Sequence, residues 1–329
     1  MKKRNPLIPA LIIGLSLLGY PLAAQAGKVF DLGDPIGGPP DAPLRIAMDY
    51  FSSEVSKRTN GEITIKYHPQ TIVTSETKAV EMCKAGALAF ANAGGGLGTI
   101  FPNTQPLALP YLLRDYAHYY AVVRGPIGKK MEEEIEKKHH LKMIIWGDFG
   151  FRQFANTRKP LNSPDDFKGL KLRVMPSPPL ADMVNALGAS AVPISWSEAI
   201  PAVQQGVVDG LDLPVVNLIT MKIYEICKYA ALTSHYFGPW GVVANLNIWN
   251  TLTKKQQDII LQVGLEAGDK NREIMEKTDA HGKALLEKYG MQVTTPNPAP
   301  FREIAKEKVY PKYYKEFGQA LIESIMNFK

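Results

Sequence analysis

Arg152 and Arg173 are the residues whose type and placement point to chemistry, and that chemistry is the recognition of a carboxylate. They sit in GFRQFANTRKPLNSPDDFKGLKLRVMP at the edges of two extended segments, with Asn156 near the first. An arginine at the carboxyl end of a parallel strand points into the crevice where α/β sheets bind ligands. Its planar guanidinium offers a carboxylate two parallel N–H donors, which a lysine ammonium does not match. Spacing alone reads both arginines equally as surface or interdomain salt bridges. Other chemistries lack their motifs. There is no His-Glu-x-x-His zinc pattern, no Gly-x-Ser-x-Gly elbow and no Gly-x-x-x-x-Gly-Lys-Ser/Thr phosphate loop. AGGGLG at 93–98 misses dinucleotide-loop spacing and reads as a turn or pocket wall. His139 and His140 end a charged helix, the other histidines are scattered, and no metal or cofactor is implied.

The elements that must carry these arginines alternate between helix and strand. Leu44, Met48, Phe51 and Val55 recur at helical spacing before Gly61. EITIKYH then alternates Ile63, Ile65 and Tyr67 as a strand ended by Pro69. Ser75 caps a helix running to Gly86, and ALAFANA is a short strand closing in the turn Gly94, Gly95, Gly96. GKKMEEEIEKKHH is an amphipathic helix leading into the strand LKMIIW. A second series follows: Ser163 and Pro164 as a helix start, LKLRV as a strand, SPPLADMVNALG as a helix, a Ser195/Glu198 capping box opening a helix down to Gly206, and VVDGLDL as a strand against Pro214. The alternation predicts an α/β architecture with largely parallel sheets, in a chain long enough for two lobes. TKKQQDIILQVGLEAGDKNREIMEKTDAHGKALLEKYG is a helical pattern long enough to bridge lobes, or else two helices with a bend near Gly268.

With 38 Lys and Arg against 32 Asp and Glu and 45% hydrophobic residues, the composition is that of a globular protein and excludes disorder. Lys2, Lys3 and Arg4 precede an apolar stretch from Leu7 to Leu22 and the A-x-A pattern at Ala24 and Ala26, which reads as a secretory signal peptide, 1–26. The rival reading is a membrane anchor, but Pro6, Pro9 and Pro21 interrupt it. Cleavage after Ala26 would remove three basic residues and halve the net charge of +6. Export with so small an excess and no long basic run argues against nucleic acid. Cys83 and Cys227 lie in helix-like apolar patterns that favour free core thiols over a disulfide.

The stretches GFRQFANTRKPLNSPDDFKGLKLRVMPSP, ALGASAVPISWSEAIPAVQQGVVDGLDLP and YEICKYAALTSH, flanked by LALPYLLRDYAHYYAVV and NLNIWNTLTKKQQDII, resemble the solute-binding proteins of TRAP (tripartite ATP-independent periplasmic) transporters, in their dicarboxylate-binding branch. The resemblance covers most of the chain after residue 26. It implies a two-lobed periplasmic binding protein: two α/β domains around a ligand cleft, joined by crossing strands and a long helix. It divides the chain into a first lobe of 27–146 and 237–279 and a second of 147–236 and 280–329. It also implies a non-enzymatic periplasmic monomer that captures a small organic acid and delivers it to TRAP membrane permease subunits. The alternative is a carboxylate-binding protein of a sensory or ABC import system. Residue by residue, Arg173 matches the family arginine that pairs with the ligand carboxylate, and Arg152 matches a second arginine near it. Asp212 and Leu213 fall where family members present Glu-Asn, and Leu213 departs from that pattern, with Asn217 as a substitute. Asn92 and Gly94 fall on the first lobe's lip. Phe237 and Trp240 fall on the interlobe strand, lining the cleft or packing in the core.

Overall fold

Two long antiparallel strands set the architecture. A computed structural model describes residues 27–329, so the expected signal peptide lies outside the described residues. Strand β4 (Leu141–Asn156) and strand β8 (Tyr229–Asn245) pair from Leu141 opposite Asn245 at one end to Asn156 opposite Tyr229 at the other. β4 is buried along nearly its whole length, as its apolar run LKMIIW requires of a strand covered on both faces. At the Leu141 end, β8 carries β3 (Phe90–Asn92), then β1 (Lys28–Asp34) and β2 (Ile63–Pro69). At the other end, β4 carries β7 (Gly210–Pro214), β5 (Lys171–Val174) and β6 (Ser190–Pro193), while β9 (Gln292–Thr294) adds to β8. Each lobe is thus a small sheet whose inner strands are halves of the same two long ones.

The sheet is mixed, with five of its eight strand pairings parallel and the antiparallel ones gathered on the two long strands. β1 runs parallel to β2 and β3, and β5 to β6 and β7, but every pairing of β4, and β3 with β8, is antiparallel. Strands crossing in both directions force this, because β8 returns along β4. The pairing slips between Asp148 and Phe151 and again between Arg152 and Phe154. At the second slip β8 turns through Ser234 at φ 47°, with the Gln153 side chain accepting from Ser234 N at 2.9 Å. Such irregularities bend and twist a strand where it leaves one lobe for the other.

The first lobe's core gathers Leu32, Phe51, Phe90, Trp240, Ile260 and Val263, and the second gathers Val203, Leu211, Leu213, Ile223 and Leu286. A larger cluster runs from Phe101 and Tyr119 through Phe167 and Leu180 to Tyr313, so apolar packing also spans the lobes. Residues 299–329, expected with the second lobe, contact both. Arg114 donates to the Met326 and Phe328 carbonyls at 2.6 and 2.8 Å, while the Tyr313 hydroxyl donates to Asp182 at 2.7 Å. Cys83 and Cys227 are free and buried.

The long helix Lys254–Ala280 opens on a Thr253/Gln256 capping box and runs unbroken through Gly268. The break comes at His281, before the helix Gly282–Lys288. Gly268 is there for closeness, not for a bend: a Cβ on it would meet the Trp146 carbonyl oxygen at 2.7 Å, and one on Gly264 the Ile144 carbonyl oxygen at 2.6 Å. The helix therefore lies directly on β4. Beneath it Asp148 accepts from the Tyr120 hydroxyl at 2.7 Å, near its end the helix's own Asp279 accepts from the Tyr116 hydroxyl at 2.6 Å, and neither carboxylate has a salt-bridge partner among the described residues. Burial pushes Asp148 up to about 7 and Asp279 to about 6.

Gly268→Ala is expected to lower stability in urea by about 1–3 kcal/mol through overpacking, although Ala in an exposed helix would gain about 1 kcal/mol. A higher urea midpoint would show that the helix does not sit this close. The two raised carboxyl groups fix a sign for the pH dependence. The folded chain holds protons that the unfolded chain releases, so their stabilisation is full below about pH 4 and is lost as the pH rises through 6 to 7. Buried, neutral His235 contributes the opposite slope, so the check is differential: from pH 5 to pH 8 the urea midpoint should fall further, or rise less, in the wild type than in Asp148→Asn, and an equal change in the two would contradict this.

Candidate functional site

A cavity of about 220 Å³ lies between the lobes. The first lobe contributes Ile36, Glu76 at the start of the helix Glu76–Lys84, and the glycine loop with Gly95 and Gly96. The second contributes the segments that leave the carboxyl ends of β5, β6 and β7: Met175, Ser195 with Trp196, and Pro214 with Asn217. Phe149 and Arg152 come from β4 between them. This is the crevice beyond the carboxyl ends of parallel strands where α/β folds place ligands. The lobes also touch across it, with the Thr99 hydroxyl donating to the Pro176 carbonyl at 3.1 Å.

Arg173 stands near the end of β5, its residue only 2% exposed. Nε and Nη2 both donate to the Ile194 carbonyl, at 3.0 and 2.8 Å, which fixes the plane of the guanidinium. Its charge lies 5.9 Å above the Trp196 ring centre. No carboxylate is within salt-bridge distance among the described residues. Burial, and then the like charge of Arg152, bring its pKa down to about 10, so it remains a cation at neutral pH. A buried cation answered only by a carbonyl is poised for an anion.

Arg152 is differently placed. Its Nε donates to Asp212 Oδ2, and its Nη2 donates to the Asp212 carbonyl and, at 3.2 Å, to Oδ1. Burial alone would raise the Asp212 carboxyl, but the Arg152 guanidinium outweighs it and holds the group well below the usual carboxylate range. His235 closes the network from the far side. Its ring stacks on Phe154 with centres 3.9 Å apart, Nδ1 lies 2.8 Å from the Thr233 hydroxyl, and Nε2 lies 3.6 Å from Asp212, an electrostatic contact rather than a hydrogen bond. Burial lowers the His235 pKa and keeps the ring neutral. Arg152 thus reaches the cavity already paired, whereas Arg173 reaches it with its charge free.

Of the residues singled out from the sequence, Arg173, Arg152, Leu213 and Asn217 come together on the cavity. Asp212 does not, because a strand sends neighbours to opposite faces: Leu213 looks into the cavity and Asp212 away from it, under Arg152. Asn92 is fully buried behind the lip, donating to Asp34 at 3.0 Å and accepting from Gly94 N at 2.9 Å. Gly94, at φ 51°, shapes the loop from behind; a Cβ there would strike Ile36 at 2.4 Å. Phe237 packs among Tyr116, Tyr119 and Phe151 in the core. Trp240 is fully buried over Gly147 and donates its ring N–H to the Asp148 carbonyl at 2.8 Å. The Ser195/Glu198 box is also altered, since the Ser195 hydroxyl donates to the Glu198 carboxylate at 2.6 Å instead of capping a backbone N–H. Sequence reasoning misses Glu76, Phe149, Met175 and Trp196. Glu76 and Met175 follow strands legible in the sequence, so the strand-end rule, extended beyond the arginines, would find them, whereas Trp196 follows β6, which the local pattern does not announce. Among the described residues no group of three or more His, Cys, Asp or Glu could hold a metal ion.

A family model for bacterial extracellular solute-binding proteins, family 7, matches residues 37–316. A solute-binding protein of Verminephrobacter eiseniae is 31% identical over 282 residues, 85% of this chain and 84% of that protein. A TRAP periplasmic solute-binding protein of Bordetella bronchispeptica, with density assigned to pantoate, is 26% identical with a TM-score of 0.86 over 92% of this chain and 99% of that one. Another from Polaromonas sp JS666, bound to D-erythronate, is 27% identical with a TM-score of 0.85 over the same shares.

Asp212→Asn would leave Arg152 charged and unpaired where both residues are almost fully buried. The expected cost in unfolding free energy is about 3–5 kcal/mol, measured by urea denaturation at pH 7. A cost under about 1 kcal/mol, typical of a surface bridge, would show that the pair is not sealed from water.

Proposed function

The chain belongs to the family 7 bacterial extracellular solute-binding proteins, the solute-binding components of TRAP transporters, and on that premise we propose that its cleft captures a small organic acid by its carboxylate for delivery to the membrane permease. The observation that carries the ligand class is Arg173: a buried guanidinium, oriented by one carbonyl, with no carboxylate in contact among the described residues. A ligand carboxylate supplies the missing countercharge, and a closed, drier cleft strengthens the pair far beyond a surface bridge. Pantoate and D-erythronate, the acids named with the two solved relatives, each carry one carboxylate.

In this reading the first lobe, 27–146 with 237–279, and the second, 147–236 with 280–329, close on the acid by bending where β4 and β8 cross between them. Arg152 and Arg173 bind, with Leu213 and Asn217 shaping the wall. The protein works as an exported periplasmic monomer after cleavage at Ala26, and it releases its ligand chemically unchanged. No helix among the described residues is long and apolar enough to cross a membrane. The solved relatives are TRAP proteins, which favours a TRAP permease over an ABC or sensory partner.

The test is thermal unfolding of residues 27–329, refolded from denaturant to strip any bound acid, against a panel of organic acids, followed by calorimetry. A ligand at a hundred times its Kd stabilises by about 2.7 kcal/mol and raises the melting temperature. Arg173→Ala should cost about 3–5 kcal/mol of binding, a weakening of two orders of magnitude or more, and Arg173→Lys should recover part of it. An unchanged affinity in the folded Ala variant, or no response to any acid after refolding, would overturn the reading.

A further inference from the structure

Capture of a carboxylate leaves one group in the cavity unused, a carboxylate of the protein itself. Glu76 lines the cavity at the first turn of the helix Glu76–Lys84, where the dipole favours a negative charge, and its side chain has no side-chain hydrogen-bond or ion-pair partner among the described residues. Burial raises the Glu76 carboxyl above its ordinary value, and the Arg173 charge, facing it across the cavity without contact, offsets part of that rise. We infer that the captured acid is a monocarboxylate with an apolar body and a hydroxyl at its far end, and that Glu76 is the specificity residue that receives the hydroxyl and turns dicarboxylates away. The inference rests on the assignment of Arg173 as the carboxylate anchor.

Charge accounts for the first half. Asp212 already neutralises Arg152, so Arg173 is left as the uncompensated cation facing the ligand, and one carboxylate satisfies it. A second carboxylate would meet Glu76 in a shielded site, where like charges cost several kcal/mol. A hydroxyl there donates to Glu76 instead.

The walls account for the second half. Phe149, Met175, Trp196 and Leu213 present apolar surface. Several hydroxyls that could greet a polyol are already engaged: Thr99 donates to the Pro176 carbonyl, Ser195 donates to Glu198, and Ser75 accepts from Lys78 N. Thr77 and Asn217 keep uncommitted polar side chains on the wall among the described residues, but they answer only some of a sugar acid's hydroxyls, and each one buried without a partner is a net loss.

The test uses three acids on one carbon skeleton: 3-methylbutanoate, 4-hydroxy-3-methylbutanoate and methylsuccinate. A second set carries phenyl in place of one methyl branch. Calorimetry on the refolded protein should show, in at least one set, the hydroxy acid binding about tenfold tighter than its hydroxyl-free partner and about a hundredfold tighter than the dicarboxylate. Glu76→Gln should narrow the dicarboxylate gap to tenfold or less, and because this is a ratio within one variant, a general loss of affinity cancels. Methylsuccinate or phenylsuccinate binding as tightly as the hydroxy acid, or a ratio unchanged in Glu76→Gln, would overturn the inference. So would silence from both sets while a sugar acid binds, and in that case the Arg173 anchor would stand; silence from every acid would take both down.

Discussion

A guanidinium withdrawn from water, with no countercharge in contact among the described residues, is the constraint around which the rest of the molecule is arranged. Arg173 is nearly inaccessible, yet its protein contacts are a carbonyl and the face of Trp196. Isolated charges of this kind are expensive to bury, and proteins ordinarily pair them. Here the folded chain supplies orientation without neutralisation. The cost is concentrated at the one place where a partner from outside can relieve it, so the instability of the empty site and its attraction for an anion are the same quantity.

The second arginine shows the contrast. Arg152 is tied to Asp212 and backed by the neutral, stacked His235, so its position is fixed and its charge already answered. It stands on β4, the strand both lobes share, beside the slip in pairing with β8. Arg173 belongs to the second lobe alone. The cleft thus has one polar group anchored to the frame and one carried by a lobe. A ligand touching both spans the segment where the strands bend.

Much of this organisation is legible in the residues. The alternating run of β2, the capped helix after Ser75 and the placement of Arg173 at the end of β5 all follow from local pattern. What is not local is harder to read. β1 carries Asp31, Gly33 and Asp34 and shows no clear alternation, yet it lies between β2 and β3 because pairing, not composition, buries it. The mixed sheet depends on β4 and β8 meeting across a long stretch of chain. Gly268 reads as a weak point in a helix until the carbonyl of Trp146 is seen against it. Asp212 and Leu213 are adjacent in sequence and so group together on the page, although strand geometry separates their faces. Phe237 and Trp240 are aromatic and near the cleft in sequence, but their strand is covered on both sides.

The crossing strands also set a timetable for assembly. β3 finds its partner at Ala244 and β4 finds its own along β8, so the first lobe's sheet is incomplete until most of the chain has been made. Contacts so distant in sequence form slowly, because loop closure must be achieved before they are rewarded. The newly synthesised N-terminal half therefore stays open for as long as its closing strand is missing.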